Sequence, residues 1–148
     1  MTDQHKTAET PELNKKIILT NNIEQINSLH DFVDSIGDEL NLSPALTLNL
    51  NLALEEIVSN VILYAYPSES SENKIFIEFT RSGDQLKFIV SDYGKPFNPT
   101  TKDEPDITLE AVDRPIGGLG IFLVKQIMDD ITYYRENNMN KLVLCKSF

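Results

Sequence analysis

The chain has 148 residues, 41% of them hydrophobic and 24% charged, and thirteen basic against twenty-three acidic side chains leave a net charge of −10. That length suits one domain, which buries roughly 70% of its unfolded surface and needs no staples. The acidic balance argues against a nucleic-acid surface, the single Cys145 against a disulfide or thiolate zinc site, and the longest apolar run, Val61 to Tyr66, against a membrane span of roughly 20 residues.

Met1 to Asn14 is polar, carries Pro11 and offers little to bury. It reads as a flexible tail without an apolar signal core, so the chain is expected to stay in the cytoplasm. Lys16 to Leu19 fits a first strand. Asn21 or Asn22 caps a helix to about Ile36; Ile23, Ile26, Leu29, Phe32 and Val33 fall at helical spacing, and Gly37 is the expected stop. Ser43-Pro44 opens a second helix with a capping hydroxyl and a first-turn proline, and Pro67 ends it after about Tyr66. The period then changes. Lys74 to Thr80 alternates Ile75, Ile77 and Phe79 against Phe76 and Glu78, and Gln85 to Ser91 returns as a hairpin after Ser82-Gly83-Asp84.

From Tyr93 to Pro115 the chain sets Pro96, Pro99, Pro105 and Pro115 among Gly, Thr, Lys and Asp, with one helical turn expected around Ile107 to Val112. A stretch that long without periodicity has the character of a functional lid or a disordered segment. Leu119 to Asp129 reads as a short helix, and Ile131 to Arg135 with Lys141 to Lys146 as a closing hairpin over Asn137-Asn138. The order β-α-α-β-β-loop-α-β-β predicts one α+β domain over residues 15–148, a two-layer sandwich with helices on one face of a mixed, mostly antiparallel sheet.

Three clusters carry chemistry. Glu56 and Asn60 stand four apart on the second helix, so they share a face, where a carboxylate and a carboxamide supply a base and an oxygen ligand for magnesium. Glu55-Glu56 also fits a solvated helix face. Asp92-Tyr93-Gly94-Lys95-Pro96-Phe97 follows a strand; an Asp there accepts a hydrogen bond from a ligand amine, and Gly94 permits close backbone approach, although a plain turn uses the same residues. Gly117-Gly118-Leu119-Gly120-Ile121 precedes a helix, where exposed amides and the dipole suit an anion and a hinge is the plainer reading. Neither a dinucleotide fingerprint nor a P-loop is present. His30-Asp31 lacks the following Arg and Pro of a phospho-accepting histidine motif and reads as a surface or partly buried helical residue, and Tyr133-Tyr134 as strand alternation.

Taken together, E-x-x-x-N on a helix, D-x-G-x-P-F after a strand and G-G-L-G-I at a helix start resemble the ATP-binding signature of the GHKL (Bergerat-fold) superfamily, over roughly Lys15 to Lys146. The single-domain format and the stretches Leu52 to Tyr66 and Gly118 to Met128 are most similar to its anti-sigma-factor serine/threonine kinases. The resemblance implies a histidine-kinase-like ATPase fold, with ATP and Mg²⁺ as its nucleotide and metal. It puts Glu56 at the catalytic base, Asn60 at the magnesium ligand and Asp92 at the adenine amine, with Gly94 beside it. It puts Gly117, Gly118, Leu119, Gly120 and Ile121 in the glycine box whose amides meet the phosphates, and residues 98 to 116 in the ATP lid. Lys95, Lys102 and Arg114 are the nearby cations for the phosphates.

The function so implied is ATP-dependent phosphorylation of a serine or threonine on an anti-anti-sigma-type protein, joined to anti-sigma activity against a sigma factor, with a homodimer as a further form. The alternative is a nucleotide-gated module that sequesters its partner without turnover; Glu56 favours the kinase, because a pure binder needs no base. No direct nucleic-acid or membrane partner is expected.

Overall fold

A computed structural model describes residues 13–68, 70–101 and 118–148. The first strand, β1 (Leu13–Thr20), begins inside the stretch expected to be tail, because Leu13 and Asn14 pair with Arg81 and Thr80 of the neighbouring strand. Asn22 is the cap: its Oδ1 accepts from the Glu24 N–H at 2.8 Å and opens a 3-10 turn (Ile23–Gln25) leading into α1 (Ile26–Leu40). Asn21 is buried and bridges the loop after the second helix, donating to the Ser68 carbonyl and accepting from the Ser70 N–H, both at 2.9 Å.

Gly37 does not stop α1, contrary to expectation. The helix runs on to Leu40 and ends at Asn41, which takes the left-handed conformation (φ 54°), while the Leu42 N–H reaches the Gly37 carbonyl at 2.9 Å. Gly37 is small for a different reason: a Cβ there would lie 2.6 Å from Thr47 Oγ1 of the crossing helix.

That helix, α2 (Pro44–Asn60), is capped as expected, with Ser43 Oγ accepting from the Leu46 N–H at 3.1 Å. It gives way to a π-helical turn (Val61–Ala65) where regular helix was expected, beginning directly after Asn60. By length and composition Pro44–Ala65 is apolar enough to cross a membrane, but Leu50, Ala53, Leu54, Ile57 and Val58 lie buried in the domain core.

The strands β2 (Lys74–Ser82) and β3 (Gln85–Asp92) turn at Gly83, whose φ of 61° suits the first position of a two-residue hairpin loop. After α3 (Gly118–Ile127), β4 (Asp130–Glu136) and β5 (Met139–Ser147) meet over Asn137 and Asn138, both left-handed (φ 54° and 65°), as the tightest hairpin loop demands. The sheet order is β1-β2-β3-β5-β4 and every pairing is antiparallel, the limiting form of the expected sheet. One face is covered: Ile75, Ile77 and Phe79 of β2 and Leu86, Phe88 and Val90 of β3 are buried with Leu29, Val33 and Ile36 of α1 and Leu50 and Ile57 of α2. The sandwich places the C-terminal end of β3 beside the end of α2.

Candidate nucleotide site

Asp92 ends β3 with 2% of its surface exposed, and the register sets it opposite Asn140 of β5. Its Oδ1 accepts from the Gly94 N–H at 2.8 Å and from Asn140 Nδ2 at 2.9 Å. Among the described residues no donor reaches Oδ2, so one oxygen is held by the protein and the other remains for a ligand donor. Asn140 is the hub of this corner. Its Nδ2 also donates to the Lys95 carbonyl (2.8 Å), and its Oδ1 accepts from Tyr133 Oη (2.5 Å), Arg135 Nη1 (3.0 Å) and the Phe97 N–H (3.2 Å). The same network that orients Asp92 therefore pins the chain leaving β3.

Sequence reasoning missed Asn140, Tyr133 and Arg135. Asn140 sits next to the Asn137-Asn138 turn and reads as part of it; only the β3–β5 register shows that it faces Asp92. Gly94 has its close approach inside the protein: a Cβ would lie 2.3 Å from the Ala65 carbonyl oxygen, which ends the π turn and accepts from the Lys95 N–H at 2.8 Å.

Burial pushes the Asp92 carboxyl above the ordinary value of 3.8, against the hydrogen bonds from Asn140 and Gly94 and the Arg135 charge, which pull it down. The folded protein thus holds this proton more tightly than the unfolded chain does. Stability is greatest, as far as Asp92 is concerned, below 3.8 and falls as pH rises through the raised folded value. Asp92→Asn does not titrate, so its stability relative to wild type is expected to rise across that window and then level off. Urea unfolding at a series of pH values reads the difference; a flat difference would show that Asp92 is not desolvated.

Glu56 and Asn60 share a face of α2 as expected. Gly120, in the first turn of α3, packs so closely on Glu56 that a Cβ there would lie 2.0 Å from the carboxylate. α3 is described from Gly118, so Gly118, Leu119 and Gly120 form its first described turn, at the end of a helix that attracts anions. The Ile121 side chain, 1% exposed, belongs to the core. Asn60 is 2% exposed, and its Nδ2 is buried without a hydrogen-bond partner among the described residues.

Ile57, Asn60, Val90, Asp92, Phe97 and Asn140 line one cavity of about 20 Å³. That is room for a single water and too small for a nucleobase. Tyr64 packs against Phe97 at 5.8 Å between ring centroids, and Asn98 Oδ1 holds the next turn by accepting from the Thr100 N–H at 2.9 Å. The rest of the expected lid, the helical turn at Ile107 to Val112, Gly117, Lys102 and Arg114 lie outside the described residues. Lys95 is exposed. Glu55 turns away from this site to His30, whose Nε2 it meets at 2.7 Å.

A model of the histidine kinase-like ATPase domain matches residues 19–146, from the end of β1 through nearly all of β5. The chain belongs to this family. Within it, the serine-protein kinase RsbW of Staphylococcus aureus is 35% identical over 92 residues, 60% of this chain and 58% of that protein, so the chain spans little more than half of the relative's length. Solved structures repeat the fold. The RsbU and RsbW domains of a Mycobacterium tuberculosis protein superpose with a TM-score of 0.65 at 15% identity, covering 93% of this chain and 32% of that one. The histidine kinase domain of a blue-light activated kinase from Erythrobacter litoralis gives 0.52 at 14% identity, over 95% and 71%.

Proposed function

We propose that the chain is an ATP-dependent serine/threonine protein kinase of the anti-sigma type, acting on an anti-anti-sigma-type protein and binding a sigma factor. One observation carries this reading: the Glu56 carboxylate lies against Gly120 at the N-terminal end of α3, the end of a helix that suits phosphates. A base beside a phosphate cradle is what transfer to a hydroxyl requires. In the cleft, Asp92 Oδ2 accepts from the adenine amine while the glycine-box amides hold the phosphates. Glu56 takes the proton of the partner's hydroxyl as its oxygen bonds to the γ-phosphorus, the bond to the β-phosphate oxygen breaks, and ADP leaves.

Asn60 fits a magnesium ligand. A buried amide nitrogen without a partner costs roughly 1–3 kcal/mol, and the amide turned over would offer its oxygen instead. With Mg²⁺ bound, the metal neutralises phosphate charge, which a chain of net charge −10 otherwise repels. Asn60→Ala is therefore expected to keep the fold and to lose the magnesium dependence of ATP binding, measured by calorimetry with and without the metal. An unchanged metal dependence removes Asn60 from this role.

Gly120→Ala tests the juxtaposition itself. The added methyl meets the far end of a flexible side chain, so the Glu56 carboxylate is expected to move while the melting temperature changes little. Transfer falls by at least about tenfold, and ATP affinity falls less. Full activity in this variant would mean that Glu56 need not stand where it does. The reading as a whole is tested by incubating the chain with γ-labelled ATP and an anti-anti-sigma-type protein. Label on a partner serine or threonine supports it; an ATP-dependent complex with a sigma factor and no label on any partner points to the sequestering module.

A further inference from the structure

The helical layer carries a second concavity on its outer side, away from the sheet. It is a groove of about 550 Å³ between α1 and α2. Its two walls differ. On α1, Asp34 and Asp38 stand one turn apart and both are exposed. On α2, Leu48 and Leu52 also stand one turn apart, 59% and 41% exposed, although the rest of that helix spends its apolar side on the core. Glu55 and His30 close one end, and this imidazole, held by Glu55, is the only basic group among the described lining residues. The lining spans roughly 12–16 Å along each helix at 1.5 Å per residue, which is two to three turns of a docked helix.

We propose that this groove docks a basic amphipathic helix of a protein partner, with its apolar anchors on Leu48 and Leu52 and its Lys or Arg flank on Asp34 and Asp38. A helix laid in a groove buries anchors at i, i+3 or i+4, and the leucine pair provides that spacing. Charge selects the occupant. A second copy would bring the same acidic wall against this one, and a nucleic acid or an anionic lipid surface is repelled by three carboxylates. The groove opens on the opposite side of the helical layer from the sheet and shares no lining residue with the Asp92 cavity, so the inference does not rest on the kinase reading.

The test is a titration of the full chain against a fluorescein-labelled helical peptide of leucine and lysine in an i, i+3, i+4 pattern, read by anisotropy. The same pattern with glutamate in place of lysine is the partner control. Substitutions at six exposed positions separate docking from general attraction to an acidic protein. Asp34→Asn with Asp38→Asn, and separately Leu48→Ala with Leu52→Ala, are each expected to weaken the lysine peptide by at least about tenfold. Glu78→Gln with Asp84→Asn removes the same charge from the sheet side and is expected to change affinity by less than about twofold. The glutamate peptide is expected not to bind. The proposal is overturned if the wild type does not bind the lysine peptide, if the two charge variants weaken it equally, or if the leucine variant binds as wild type does.

Discussion

Glu56→Gln is expected to slow phosphoryl transfer to the protein partner by at least about a hundredfold, with ATP affinity near that of wild type. General-base assistance contributes about 10²–10⁴-fold, whereas the proposed nucleotide contacts are made by Asp92, Asn60 and the start of α3. The substitution is nearly isosteric, so the packing of the side chain on Gly120 is kept while its ability to take a proton is lost. A fall in turnover without a rise in Kd identifies an interaction made only in the transition state. Glu78→Gln, on the sheet side of the molecule, is the charge-matched control and is expected to transfer at the wild-type rate. Single-turnover assays with labelled ATP read both. Full transfer by the Glu56 variant would assign the base elsewhere.

Asp92→Asn has the opposite signature, with binding lost and the fold kept. The asparagine Oδ1 can accept from Gly94 and Asn140 as the carboxylate Oδ1 does, so the local network survives. Its Nδ2 then takes the position of Oδ2 and, in the proposed binding mode, sets a donor against the adenine amine. A hydrogen bond to a charged group is worth roughly 1.5–3 kcal/mol, so Mg-ATP affinity is expected to fall about ten- to a hundredfold. Guanine carries an acceptor where adenine carries that amine, so the ratio of ATP to GTP affinity is expected to fall as well. Calorimetry with both nucleotides reads the effect. Equal ATP affinity in the two proteins, or an unchanged ratio, would take Asp92 out of base recognition.

Local signals placed most elements within a few residues. Ser43-Pro44 fixed the start of α2, Gly83 and Asn137-Asn138 fixed the two hairpin turns, and the alternation around Ile77 and Phe88 fixed the buried face of β2 and β3. Each of these is set by a residue's own backbone preference or by the period of its neighbours. The spacing of Glu56 and Asn60 on one helical face was legible for the same reason.

What the sequence could not decide depends on partners distant along the chain. A glycine reads as a terminator unless a crossing helix is known to need its space, and Gly37 against Thr47 is such a case. Asn60 reads as one more helical position until packing buries its amide nitrogen with no acceptor to meet it among the described residues. Asp92 and Asn140 are 48 residues apart, and no local pattern links them. The pairing of β3 with β5 makes them neighbours and commits one carboxylate oxygen to the protein, while no donor among the described residues meets the other. The sequence by itself determined which groups are available; the tertiary structure decided which of their atoms are already bonded, because that is settled by register and packing between elements.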